Sequence, residues 1–269
     1  MKTRLITAFV AVVVFLTIIY VLPPVVAVVA FCLLCAIAAY EMLGATGALK
    51  RHPLLWVSCV FAAVVPLLTV YGGAQALLAG VFGYVCVSLG WAVFDYKRLG
   101  FSQVAEGFFG AFAIPFLLSS ALRIMTANEM GRQLILMPCI AAWCSDSAAY
   151  FAGMLFGKHK LAPHVSPKKT VEGAVGGLLG SLVGMLIFGY VMQRWFGAQP
   201  DYILLAVGGV VGAAAGQCGD LSMSLIKRSC GIKDFGKLFP GHGGVLDRFH
   251  SVLFTAPFFE IMLTFTGII

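Results

Sequence analysis

The chain has 269 residues, of which 61% are hydrophobic and 11% charged, and its mean hydropathy is +0.98. Soluble domains carry about 25% charged residues, so this composition excludes an ordinary soluble fold. The net charge of +7 does not require nucleic acid as a partner, because membrane proteins gather Lys and Arg on their cytoplasmic side.

Apolar runs of about 20 residues, the length of a bilayer-crossing helix, recur along the whole chain. Helices satisfy their own backbone groups in lipid. An all-α integral membrane protein of about nine transmembrane helices is therefore predicted. The spans fall at roughly 5–22, 25–43, 54–71, 74–94, 107–125, 134–156, 171–195, 202–226 and 249–268, with breakers at Pro23-Pro24, His52-Pro53, Gly72-Gly73 and Gln199-Pro200-Asp201. The first span follows a basic start, as a signal peptide does, but it is longer than the 7–15 residues of a signal core. It is read as a retained helix. With the N-terminus cytoplasmic, fifteen of the 18 Lys and Arg lie on inside segments, and only Arg123, Arg132 and Arg194 lie outside. This is the positive-inside pattern.

The eight Cys are scattered through apolar runs and read as small buried residues rather than redox or metal groups. Up to about residue 130, polar residues are few and are expected at loops. Residues 1–130 are read as a lipid-facing scaffold and 131–269 as the catalytic region, with polar loops at 157–170 and 227–248. Gly176, Gly180 and Gly184, and again Gly208, Gly212 and Gly216, recur every four residues. Small residues at that spacing let helices approach closely in lipid.

Candidate site residues lie in the second half. Asp146 falls mid-span, where a carboxylate is costly and suggests function; Tyr150 shares its face, and a hydrogen-bonded cluster with Ser145 and Ser147 is the structural alternative. Asp220, Ser224 and Lys227 form one helical stripe, followed by Arg228. Asp247 is placed at the start of the last span, at a depth similar to Asp220. Two facing carboxylates would suit Mg2+; alternatively, each pairs with a nearby Lys or Arg. The loop between them is rich in Gly and carries Lys233 and His242, a composition fit for a phosphate. In the other loop, Ser166 is expected to cap a helix, with Pro167 at its first position. Lys168, Lys169 and Thr170 would then surround a helix N-terminus, an anion site, and Glu172 would pair with a lysine or assist the metal.

The segment Ser224 through Arg248 reads S-x-x-K-R-x-x-x-x-K-D-x-x-x-x-x-P-G-H-G-G-x-x-D-R, which resembles the signature of the phosphatidate cytidylyltransferases (CDP-diacylglycerol synthases). The blocks D-S-x-A-Y (146–150), F-G-K-H-K-L-A-P (156–163) and S-P-K-K-T-x-E-G (166–173) resemble others of that family. The resemblance covers about 140–255, and the first 130 residues match only as apolar helices.

It implies transfer of a cytidylyl group from CTP to phosphatidate, giving CDP-diacylglycerol and pyrophosphate, with Mg2+ and room for a second cation. It implies Asp220 and Asp247 as metal ligands and Lys227, Arg228, Lys233, His242 and Arg248 as phosphate-binding residues. Asp146 joins the catalytic set. Ser166, Lys168, Lys169, Thr170, Glu172, Tyr150, Ser224, Asp234, Gly243 and Gly244 join the substrate contacts. One departure stands out: the family has an acidic residue two places after D-R, where this chain has His250. The compact chain suggests a bacterial cytoplasmic membrane with the site facing the cytoplasm. The expected partners are CTP, phosphatidate and the bilayer, with no nucleic acid, and a homodimer remains open. A polytopic transporter with an intramembrane acidic site is the rival reading, but the polar load sits on one side of the membrane.

Overall fold

The computed structural model describes residues 2–50, 52–236, 238 and 243–266. In chain order the elements are α1 (Lys2–Leu16), α2 (Pro24–Thr46), α3 (Leu54–Leu67), α4 (Gly73–Phe94), α5 (Phe101–Phe108), α6 (Ile114–Ala127), α7 (Gly131–Leu134), α8 (Leu136–Phe156), the strands β1 (Lys160–Ala162) and β2 (Ser166–Thr170), α9 (Val171–Phe196), α10 (Tyr202–Ser229), α11 (Leu246–Phe249) and α12 (Val252–Thr266). Single π-helical turns follow α1, α3 and α5. All three neighbour prolines, Pro23 after the first, Pro66 inside α3 and Pro115 at the start of α6, where the missing N–H disrupts the regular ladder.

Six helical stretches are long and apolar enough to cross a membrane: Pro24–Thr46, Leu54–Phe94, Phe101–Ala127, Gly131–Phe156, Val171–Phe196 and Tyr202–Ser229. Phe9–Val21 and Val252–Thr266 are shorter apolar helices. The 41-residue stretch Leu54–Phe94 is not one rod. Ser58 Oγ and Tyr84 OH lie 2.8 Å apart, and the Phe61 and Tyr84 rings stack at 4.7 Å. A straight helix would separate residues 58 and 84 by about 39 Å. The chain reverses where Gly73 takes φ +68°, a conformation open to glycine.

The described chain forms two compact units. The first contains Met1–Thr126 and Cys230–Phe249, so the loop after α10 is grouped with the N-terminal helices. Within it, α2 packs on α3, Tyr40 stacks on Trp56, and Leu43, Leu49, Leu54 and Leu99 form a buried cluster.

The second unit contains Ala127–Ser229 and His250–Ile269. Its centre is the pair α8 and α9. A Cβ added at Gly176 or Gly180 would collide with Ala152 or Ala148 of α8, and one at Gly184 would lie 2.8 Å from Cys144 Sγ. The second glycine stripe lies against α12: a Cβ at Gly208, Gly212 or Gly216 would meet Met262, Phe259 or Thr255 within 3.0 Å. Both stripes thus serve the close helix packing expected of them. Ser181 Oγ donates to Gly209 O at 2.8 Å and Thr255 Oγ1 to Pro138 O at 3.1 Å, fixing the depth of α9 against α10 and of α12 against α8.

Two local expectations are corrected. Ser166 and Pro167 do not start a helix; they open β2, which pairs antiparallel with β1 in the register Lys160↔Thr170 and Ala162↔Ser166. The pairing with β1 holds these residues extended up to the start of α9. The cap of α9 is Thr170, whose Oγ1 accepts from Gly173 N at 3.1 Å. Asp247 does not open the last apolar helix either. It sits on the separate turn α11, and α12 begins at Val252.

Candidate active site

In the second unit, α8, β2, α9, α10 and His250 surround a half-open cleft of about 440 Å³. Its polar lining is Asp146 and Tyr150 from α8, Lys168, Lys169 and Thr170 from β2, Gln217 and Asp220 from α10, and His250. Ala149, Met154, Leu161 and Ala174 supply the apolar wall. Tyr150 and Met154 are largely exposed on the outer surface of α8.

Strand alternation and the cap place the lysines. Thr170 turns inward and is buried at the start of α9, while Lys169, the residue before it, reaches Asp220 and makes an ion pair with Oδ2. Ser224, one turn on, donates to Asp220 Oδ1 at 3.4 Å. Lys227 acts on the same carboxylate electrostatically, so the predicted stripe on α10 is present.

His250 Nδ1 lies 3.9 Å from Asp220 Oδ1 and 2.9 Å from Ser251 Oγ, and Ser251 donates to Asp146 Oδ2 at 3.4 Å. Lys169, Asp220, His250, Ser251 and Asp146 therefore form a continuous polar chain along the cleft. Gln217 braces it, donating to Ser145 Oγ at 3.3 Å and Ala174 O at 3.0 Å. Ser145 thus answers to Gln217, while the partner of Asp146 comes from beyond α10.

Other predicted residues lie beside the cleft. Among the described residues, Glu172 makes no ion pair with a lysine, and it does not line the cavity. It accepts from the main-chain N–H of Lys158 at 3.0 Å and from His159, whose Nδ1 lies 2.6 Å away. It therefore ties the end of the α8–β1 loop to the first turn of α9. Arg228 Nε donates to Val165 O at 3.4 Å and holds the hairpin tip.

In the first unit, Lys233, Asp234 and Arg248 are exposed, Gly243 has φ +85°, and His242 lies outside the described residues. Asp247 is 2% exposed. Its Oδ2 accepts from Phe235 N at 2.8 Å and Gly244 N at 3.0 Å, so the Gly244 amide points at a protein carboxylate. Asp220 belongs to the second unit and Asp247 to the first.

Comparison with known proteins places the chain in a family. The sequence profile of the cytidylyltransferase family matches residues 2–266. The chain belongs to the cytidylyltransferase family. Among relatives, a phosphatidate cytidylyltransferase of Staphylococcus epidermidis is 33% identical over 266 residues, spanning 98% of this chain and 99% of its own length. One from Staphylococcus aureus is 32% identical over 270 residues, with the same coverage of both chains. One from Bacillus subtilis is 38% identical over 170 residues, 63% of this chain and 60% of the relative. The match begins at residue 2, so it takes in the N-terminal helices as well as the polar half. Nothing in these comparisons favours a transporter.

Four residues of this cytidylyltransferase-family chain escaped the reading of the sequence: Glu41, Gln217, Ser251 and the site role of His250. Glu41 carried a usable signal, a lone carboxylate inside the apolar run of α2. It contradicts the expectation that polar residues of the first half sit at loops. Its partners, the N–H groups of Val245 and Leu246, come from more than 200 residues away and leave no local trace. Gln217 and Ser251 are common helix residues, marked only by the neighbours that folding brings them.

Proposed function

We propose that this protein transfers the cytidylyl group of CTP to phosphatidate, forming CDP-diacylglycerol and pyrophosphate. The observation that carries this reading is the cleft of the second unit. It joins two lysines and two carboxylates to an apolar wall on one exposed face, as a polyphosphate meeting a lipid phosphate requires.

The attacking group is an oxygen of the phosphatidate monoester, largely ionised at neutral pH because its second pKa is about 6. It forms a bond to the α-phosphorus of CTP as the bond to the β-phosphate oxygen breaks, and pyrophosphate leaves with the electron pair. No strong general base is needed. The obstacle is repulsion between anions and the charge gathering on the leaving group, so positioning and electrostatics dominate. Lys168 and Lys169 are assigned to the phosphates. Lys169 would exchange its hold on Asp220 for the nucleotide. Lys227, Arg228, Lys233 and Arg248 supply further positive charge and His242 a further phosphate contact, while Tyr150 orients the lipid phosphate and Asp146 holds Ser251 beside His250.

Asp220 already receives a cation, the Lys169 ammonium, and no group of three or more His, Cys, Asp or Glu among the described residues gathers to hold a metal alone. That donor set suits Mg2+, which binds through one or two carboxylates and completes its shell with substrate phosphates and water. Asp220 and Asp247 are the carboxylates proposed to hold it, and the metal would neutralise charge on the departing pyrophosphate. Nine crossings, a cytoplasmic N-terminus and a site facing the cytoplasm of a bacterial inner membrane complete the proposal. Purified protein in phosphatidate-containing micelles should release pyrophosphate from CTP only with both phosphatidate and Mg2+ present. Absence of release under those conditions refutes the assignment.

A further inference from the structure

Glu41 lies within α2, 7% exposed, in a helix otherwise almost wholly apolar. Each of its carboxylate oxygens accepts one main-chain N–H at 3.0 Å, Oε1 from Val245 and Oε2 from Leu246. These amides open α11, and the next residue is Asp247. Asp247 in turn accepts from Phe235 N and Gly244 N. Two carboxylates from distant parts of the chain thus hold four amides of one glycine-rich segment. Side chains larger than hydrogen at Gly236 and Gly244 would collide with the Glu41 carboxylate. The glycines therefore admit Glu41 as much as they loosen the loop. A buried carboxylate is stable only when its oxygens are satisfied, and here the satisfying groups are the ones that orient α11.

We infer that Glu41 is a positioning residue for the reaction: from a helix of the N-terminal half it sets the backbone at 245–246 and, through it, the aim of Asp247 and Arg248. The role rests on the assignment of Asp247 as a metal ligand proposed above. Groups that orient metal ligands typically change metal affinity or activity by about 10- to 100-fold when altered.

The test compares full-length wild type with Glu41→Gln, Glu41→Asp and Glu41→Ala in nanodiscs. Amide hydrogen exchange is read without substrate; kcat, KM for CTP and the Mg2+ concentration for half-maximal rate are read with it. Glu41→Gln keeps the shape but sets an NH2 group against a main-chain N–H. It should speed exchange at 244–247 alone, lower kcat about 10- to 100-fold and raise the Mg2+ requirement, with a smaller change in KM for CTP. Glu41→Asp, with charge and both oxygens on a shorter arm, should recover part of the loss. The inference is overturned if Glu41→Gln matches wild type in kcat and Mg2+ requirement. It is equally overturned if exchange rises throughout the first unit while the remaining activity keeps wild-type constants, or if no variant folds, since Glu41 would then serve folding alone. A wild type without pyrophosphate release would sink the cytidylyltransferase reading instead, while the exchange data would still decide whether Glu41 holds the loop.

Discussion

Asp220 is held by three neighbours of different kinds: an ammonium, a hydroxyl at 3.4 Å and an imidazole at 3.9 Å. Its side chain is about one-fifth exposed, as is that of Lys169 to a similar degree, so the pair borders the cleft rather than lying sealed in the core. Such a pair contributes little to folding, which points to use in binding. Asp220→Asn keeps the size and one acceptor oxygen but removes the charge. Turnover should fall about 100- to 1,000-fold, the scale of losing one electrostatic contact made in a transition state. The protein should still run as a single species on size exclusion. A variant with near-normal pyrophosphate release would show that Asp220 is no metal ligand. Asp220 and Ser224 were legible in the sequence as residue types at helical spacing, and Lys169 as a cation beside a helix N-terminus. Their meeting was only half legible: Ser224 follows from the i, i+4 rule, whereas the Lys169 contact depends on a hairpin that swings the lysine onto another helix. His250 was visible only as a departure from the family pattern, and nothing in its own stretch of sequence announced its place 3.9 Å from Asp220.

At the scale of elements, periodicity was a good guide wherever one helix sufficed and a poor one where a loop organised itself. The glycine stripes of α9 and α10 followed from a four-residue repeat, and each packs against the helix that fills its groove. The hairpin of β1 and β2 was misread because Ser-Pro is also a helix-start signal. The ladder that pairs Lys160 with Thr170 and Ala162 with Ser166 keeps these residues extended, and the local Ser-Pro signal holds no trace of that partner strand. α11 was missed because its order comes from Glu41 and Asp247 side chains rather than from its own four residues. The glycine packing makes a sharp prediction. At Gly180 an added methyl group meets Ala148 Cβ on α8 and lies 3.0 Å from Cys144 O. In a dry helix interface such overpacking costs about 1–3 kcal/mol. Gly180→Ala should lower the thermal midpoint, and the double variant Gly180→Ala with Ala148→Gly should regain much of the loss. If the two changes simply add, the helices do not meet at that point.

The whole molecule is an all-α membrane protein whose N-terminal helices do more than fill lipid, since one of them holds the polar loop through Glu41. The sequence was divided once, at about residue 130, whereas the compact units are Met1–Thr126 with Cys230–Phe249, and Ala127–Ser229 with His250–Ile269. Contacts of that range follow from tertiary packing, which composition does not record. The sidedness of the fold can be tested directly. α9 and α10, with 26 and 28 residues, are about 39 and 42 Å long, enough to cross a hydrocarbon core of about 30 Å. The loop at 157–170, ahead of α9, and the connection at 197–201, behind it, should therefore lie on opposite sides. The first carries Lys158, Lys160, Lys168 and Lys169; near the second stand only Arg194 and Asp201. By the positive-inside rule the first is expected on the cytoplasmic side. In a background with the eight native cysteines replaced, Gln199→Cys should react with a membrane-impermeant maleimide in intact cells. Lys160→Cys should react only once the membrane is opened. Labelling of Lys160→Cys from outside would invert the topology and move the lysine-lined cleft away from the compartment that holds CTP. The reaction proposed for the cleft would then have no nucleotide supply, whatever the geometry of its residues.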